Sequence, residues 1–146
     1  MFAGLDNLDA LFVVWAFFFQ IAHVVHFALR KRFFESYTLK IGWIMYALSI
    51  PSAAISIVLL LGGKTWSFWL GGFLFLIFAA YGYRIDYVKQ IQWRNPMRRS
   101  IMFPYVFLYL STVMFYWWPL AILSRPLWMA FAVLFVIGTI LNVTSH

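Results

Sequence analysis

The sequence contains no cysteine and few charged residues of either sign. Without cysteine the chain cannot form disulfides, thiolate metal sites, iron–sulfur clusters or a cysteine nucleophile. Charged residues make up 10% of the 146 residues, whereas a soluble domain carries about 25%. The composition therefore excludes the water-exposed coat of an ordinary soluble domain.

Histidines and acids are also scarce, with 3 His and 4 Asp plus Glu. A membrane di-iron desaturase or hydroxylase needs a larger set of such ligands. No Gly-x-Ser-x-Gly elbow and no His-Glu-x-x-His pair occurs, and Gly63-Lys64-Thr65 lacks the preceding strand and first glycine of a P-loop. We therefore do not expect catalysis, and the sequence identifies no cofactor.

The chain does contain long hydrophobic stretches. Hydrophobic residues make up 65% of it, with 17 Phe, 8 Trp and 8 Tyr. Crossing about 30 Å of hydrocarbon takes roughly 20 apolar residues in a helix, and five stretches approach this length, at residues 10–29, 41–61, 66–83, 101–123 and 127–143. The sequence predicts an all-α integral membrane protein, a bundle of five transmembrane helices in one domain, residues 1–146. Because only Ser124, Arg125 and Pro126 separate the last two stretches, four crossings plus a re-entrant or interfacial C-terminal helix is the alternative.

Basic residues lie almost entirely in alternate gaps between these stretches. The second and fourth gaps hold only Lys64 and Arg125, whereas the first and third hold Arg30, Lys31, Arg32, Lys40, Arg84, Lys89, Arg94, Arg98 and Arg99. Because short basic loops stay on the cytoplasmic side, the pattern predicts an N-out, C-in, multi-pass protein. It does not identify which membrane the chain occupies.

The formal net charge of +7 bears on the expected partners. Nucleic acid needs a solvated basic face, and these charges fall in loops beside the membrane, so we do not expect a nucleic-acid partner. Each basic residue near an anionic bilayer contributes about 1 kcal/mol of attraction. The expected partner is the lipid bilayer, with anionic lipids on the inner side, and other membrane subunits or a homo-oligomer are further candidates.

The second stretch has features that predict how it packs. Pro51 lies in mid-stretch, where a missing N–H and a bulky ring kink a helix. Ser49, Ser52, Ala53 and Ser56 repeat around it at helical spacing, and small residues of this kind let neighbouring helices approach closely.

Polar residues inside the apolar stretches define the candidate site. Gln20, His23, His26 and Arg30 fall within about a third of a helix circumference and form one polar stripe. Under the predicted orientation the stripe ends at the depth of further polar residues near the inner ends of other stretches, namely Arg84, Asp86, Tyr46, Tyr105, Tyr109 and His146. These side chains can converge if the first and third helices adjoin.

Four interpretations of this cluster compete. The favoured one is structural, with neutral His23 and His26 bonded to neighbouring helices and Asp86 paired locally. The next is a hydrophobic ligand, such as a lipid, quinone, isoprenoid or porphyrin, whose polar head meets the histidines. A metal site on His23, His26 and Asp86 and proton transfer between His and Asp are the others.

These observations lead to a ranked set of functions. We expect a small non-catalytic accessory subunit of a larger membrane complex. The alternatives are a binder of a hydrophobic ligand or cofactor near the cytoplasmic leaflet, and a small transporter or a protein that handles protons or metals.

The five short, Trp-rich, basic helices resemble the architecture of the translocator-protein family, whose members bind porphyrins and sterols. That family has its tryptophan and proline signature in the first loop, whereas the Trp93-Arg94-Asn95-Pro96 run lies here in the third gap. The resemblance is one of architecture and assigns no family.

Overall fold

The computed structural model describes residues 6–32, 43–89 and 98–144. Over these ranges the chain forms helices and turns without any strand, and five helices are long and apolar enough to cross a membrane. They are α1 (Asn7–Arg32), α2 (Trp43–Leu61), α3 (Trp66–Val88), α4 (Arg99–Leu123) and α5 (Arg125–Thr144). The prediction of an all-helical chain with five such helices is confirmed, and α5 is itself long enough for a full crossing.

Two of the helices are irregular. α2 consists of Trp43–Ala47 and Ser49–Leu61, separated by a turn at Leu48. The break lies where Pro51 removes the N–H that would bond to the carbonyl of Ala47, close to the position at which the sequence predicts a kink. α3 is α-helical over Trp66–Tyr83 and ends in a π-helical turn, Arg84–Val88. The helical spacing of Ile85, Val88 and Gln92 predicts that this helix continues past Tyr83 as far as Asn95 and Pro96, which lie outside the described residues.

The helices pack in sequence around the bundle. α2 contacts α3, α3 contacts α4, α4 contacts α5, and α5 contacts α1. α1 also contacts α2 and α4, and its aromatic rings meet those of α3 across the interior, with ring centroids 5.2 Å apart for Phe12 and Phe68 and 5.0 Å apart for Phe19 and Phe75. The first and third helices therefore meet through side chains.

α2 and α3 approach each other most closely at Gly72. A Cβ atom at this position would lie 1.9 Å from Oγ of Ser56 and 2.5 Å from the carbonyl oxygen of Ser52, so the residue must be glycine. Ser49, Ser52 and Ser56 are all buried. The predicted small-residue face on α2 is therefore a close contact with a neighbouring helix.

The two ends of the bundle differ in charge. One end, called the basic end below, carries seven basic residues of the described chain: Arg30, Lys31, Arg32, Arg84, Lys89, Arg98 and Arg99. Lys40 and Arg94 lie outside the described residues. At the opposite end, Nζ of Lys64 lies 2.8 Å from Oδ2 of Asp6 and 2.6 Å from Oδ1 of Asp9. These ion pairs hold the turn between α2 and α3 against the start of α1.

Candidate functional site

The polar stripe on α1 divides between two neighbours. Gln20 faces α5, where its Nε2 donates to the carbonyl of Leu134 at 3.4 Å, and its buried Oε1 has no hydrogen-bond partner. The buried Arg30 also faces α5 and donates to Oδ1 of Asn142. These two members of the stripe therefore join α1 to α5, whereas His23 points into the bundle.

His23 is almost fully enclosed by aromatic rings. Its centroid lies 4.3 Å from that of Phe19, 5.8 Å from Phe75 and 5.6 Å from Tyr109. Its Nδ1 lies 2.9 Å from the carbonyl oxygen of Phe19. Because a carbonyl only accepts, Nδ1 carries the proton, and Nε2 of the neutral ring is an acceptor.

Tyr46 on α2 connects three helices at the basic end. Its hydroxyl donates to Oδ2 of Asp86 on α3 at 2.6 Å and lies 3.3 Å from the hydroxyl of Tyr105 on α4. Gly82 makes room for this ring, since a Cβ atom there would lie 2.7 Å from the nearest ring carbon. The short bond to a carboxylate is of the charge-assisted kind, which is stronger than a neutral one.

A small cavity lies between His23 and this network. Its volume is about 20 Å³, which is room for on the order of one water molecule and too little for a quinone or a porphyrin. The polar side chains that line it are His23, His26, Tyr46, Tyr105, Tyr109 and Asn142. Five of the nine predicted site residues thus line one cavity. A sixth, Asp86, is hydrogen-bonded to Tyr46, which is one of the five. Gln20, Arg30 and Arg84 do not line it.

The predicted metal site on His23, His26 and Asp86 is not assembled. Within the described ranges no three His, Cys, Asp or Glu side chains come together in a way that could hold a metal ion. Asp86 instead accepts a hydrogen bond from the hydroxyl of Tyr46. His146, the third histidine of the chain, lies outside the described residues.

A second concavity, called the α2–α3 groove below, runs along the outer surface between these two helices. Its volume is about 270 Å³, and it is lined by Trp43, Tyr46, Ala47, Ser49, Ile50, Leu76, Ala79, Ala80 and Tyr83. Tyr46 is a wall of both the groove and the small cavity. Sequence reasoning missed the groove, although Ala79 and Ala80, one turn before Tyr83, are the small residues that leave it open.

No family model, no curated protein and no solved structure matches this chain. Function therefore has to be inferred from the residues and their geometry. Three features are available for that inference. They are the buried His23, the hydrogen-bonded network of Tyr46, Asp86 and Tyr105, and the apolar α2–α3 groove that Tyr46 also lines.

Proposed function

We propose that α1 to α5 cross a membrane, with the N-terminus outside and the basic end at the inner surface. The five apolar helices supply the length, and the concentration of arginine and lysine at one end supports this orientation. Exposed apolar side chains agree with lipid contact, for example Leu61, Phe107 and Val143, which are 81%, 69% and 68% exposed. The α2–α3 groove then lies in the inner half of the bilayer.

Within this arrangement we propose that the protein binds a membrane-soluble amphiphile at the basic end. The carrying observation is the position of Tyr46, which lines the apolar groove while its hydroxyl binds Asp86 and Tyr105. A ligand chain in the groove would thus have its polar end beside the hydrogen-bonded network. The groove is a furrow between two helices, a shape that suits a flexible chain better than a rigid porphyrin or sterol.

The expected role as an accessory subunit is a second proposal, and the position of α5 favours it. Within the described part of the chain, the main contacts of α5 are with α1 and α4. One of its faces presents an apolar stripe at helical spacing, formed by Met129, Val133, Val136 and Ile140, each more than half exposed. Such a stripe could pack against a helix of another subunit.

Native mass spectrometry of gently solubilised protein tests the ligand proposal. Ala80→Leu fills the groove from an exposed position, and Ala130→Leu makes the same change on the exposed surface of α5. We expect wild type and Ala130→Leu to carry a stoichiometric small mass that Ala80→Leu loses. A wild-type chain without any such mass, or an Ala80→Leu variant that keeps it, would contradict the proposal.

The same spectra test the accessory role. Co-purifying polypeptides that are lost when Val133 is replaced by Lys, but not when Ala80 is replaced by Leu, would support a subunit interface on α5. A chain that arrives without other polypeptides in every sample would remove the basis for this second proposal.

A further inference from the structure

None of the residues that line the α2–α3 groove carries a charge. Leu76, Ala79 and Ala80 form one wall and Ala47 and Ile50 the other. The hydroxyl of Ser49, which also lines the groove, already donates to the carbonyl of Tyr46 at 2.7 Å. The groove can therefore recognise only hydrocarbon along its length, and any head-group selectivity has to come from its end.

Positive charge lies at that end. Arg84 follows Ala80 by one helical turn, so it continues the α3 stripe that lines the groove, and it is exposed. Lys89 is exposed at the end of the same segment. The nearby acid, Asp86, is engaged by the hydroxyl of Tyr46 at 2.6 Å. The stripe of α3 that lines the groove is thus continued by an exposed arginine, whose planar donors suit a phosphate.

Aromatic residues border the same end. Trp43 and Tyr83 line the groove and are 46% and 44% exposed, and the ring of Tyr83 stacks on that of Tyr87 at 5.3 Å. Amphipathic rings of this kind favour the level of lipid head groups. The order along the groove, from hydrocarbon to aromatic border to arginine, matches the order of groups along a phospholipid.

We propose, on the basis of the ligand-binding function above, that the groove holds one acyl chain of an anionic phospholipid of the inner leaflet, with its phosphate at Arg84. The groove opens sideways, so a leaflet lipid can enter without leaving the bilayer. The excess of basic residues at this end raises the local concentration of anionic lipid. Both features favour a leaflet phospholipid over a free phosphate or a polyprenyl phosphate.

The test is native mass spectrometry of protein in nanodiscs of phosphatidylcholine with phosphatidylglycerol, with retained lipids counted by mass. Arg84→Gln removes the proposed phosphate contact, and Arg99→Gln removes one charge from the basic end on another helix. We expect wild type and Arg99→Gln to retain phosphatidylglycerol preferentially. Arg84→Gln should still retain lipid, with its preference reduced about fivefold, the factor that corresponds to about 1 kcal/mol for one near-surface base.

The outcomes separate this inference from the function on which it rests. Equal retention of both lipids by wild type, an unchanged preference in Arg84→Gln, or an endogenous polyisoprenoid in place of a phospholipid would overturn the head-group assignment and leave ligand binding intact. Equal lipid retention by wild type and Ala80→Leu would overturn the groove as the binding site, and with it both proposals.

Discussion

Helices α2 and α3 meet in two different ways along their length. At Gly72 the helices are so close that a single added carbon would collide with Ser56 and with the backbone of Ser52. Two turns further along α3, the same two helices are separated by the α2–α3 groove, whose volume is about 270 Å³. The residues at the close contact are glycine and serine, whereas at the groove the ring of Tyr46 is part of the lining and lies against Gly82.

The difference shows how one interface can serve two purposes. Without water to drive apolar association inside a bilayer, close packing of small residues supplies stability. A groove forfeits that packing, so it persists only where other contacts hold the helices. Here the bonds of Tyr46 to Asp86 and Tyr105 provide such contacts. Variants at the two levels should therefore affect stability and binding separately.

The largest effect on stability is expected at the close contact around Gly72, called the closed level below. Gly72→Ala places a methyl group 2.5 Å from a backbone oxygen, which side-chain motion cannot relieve, and we expect a loss of about 3 kcal/mol. Gly71→Ala is the matched control, because its Cβ would meet Phe115 at 3.4 Å, an ordinary contact. Unfolding in mixed micelles with increasing denaturing detergent measures both. Equal stability of the two variants would show that the helices are not in close contact.

The next largest effect on stability is expected where α2 and α3 are separated by the groove. Tyr46→Phe keeps the ring and removes the bond to Asp86 and the contact with Tyr105. We expect a loss of about 1.5 to 3 kcal/mol, the range of a hydrogen bond to a charged group. Tyr83→Phe, at the exposed border of the groove, should leave stability unchanged. A Tyr46→Phe variant as stable as wild type would mean that this network does not hold the groove open.

A smaller effect is expected at Ser52, whose backbone lies at the close contact with Gly72. Its hydroxyl accepts from the indole Nε1 of Trp15 on α1 at 2.9 Å, so Ser52→Ala strands that donor and should cost about 1 kcal/mol. Ser49→Ala loses only a bond within α2 and should cost less. The fluorescence maximum of the tryptophans, followed during unfolding, reports the change. The opposite order of the two losses would exclude the contact between α1 and α2.

The smallest effect concerns the turn beyond the closed level. The hydrogen bond with Lys64 lowers the pKa of Asp6, and the bonds to Asp6 and Asp9 raise the pKa of Lys64. The stabilisation from Asp6 is therefore present above the unfolded pKa of about 4 and is lost as pH falls through the lower folded value. That from Lys64 is present below about pH 10.5 and is lost as pH rises through the higher folded value.

Thermal unfolding of wild type and Asp6→Asn checks this behaviour. Their difference in melting temperature should be constant between about pH 5 and pH 9 and disappear at lower pH, where the carboxyl is protonated. Because Asp6 is exposed, the difference should be small and should shrink in high salt. A difference that persists at pH 2 would show that Asp6 acts through packing.

The helices were largely predictable from the sequence, and the site was only partly so. The predicted stretches at 66–83 and 101–123 correspond to α3 and α4, which extend further at their basic ends, to Val88 and from Arg99. Hydropathy marks only the apolar part of a helix, and the continuation of α3 past Tyr83 was predicted instead from the helical spacing of Ile85 and Val88. At the site, Gln20 and Arg30 of the α1 stripe face α5, whereas His23 faces the interior, and the sequence did not predict this division.

By itself the sequence determined that this chain forms long apolar helices, where they break and which end carries the charge. These are properties of consecutive residues, since helix length, the missing N–H of Pro51 and the positions of arginine and lysine are readable along the chain. Only the tertiary structure decided that Tyr46 bonds to Asp86, that Gly72 lies against Ser56, and that a groove opens beside Ala80. Such contacts depend on which helices are neighbours and on how each helix is rotated about its axis. Because the helices are apolar and aromatic on almost every face, the sequence of a single helix does not indicate which face turns toward a neighbour.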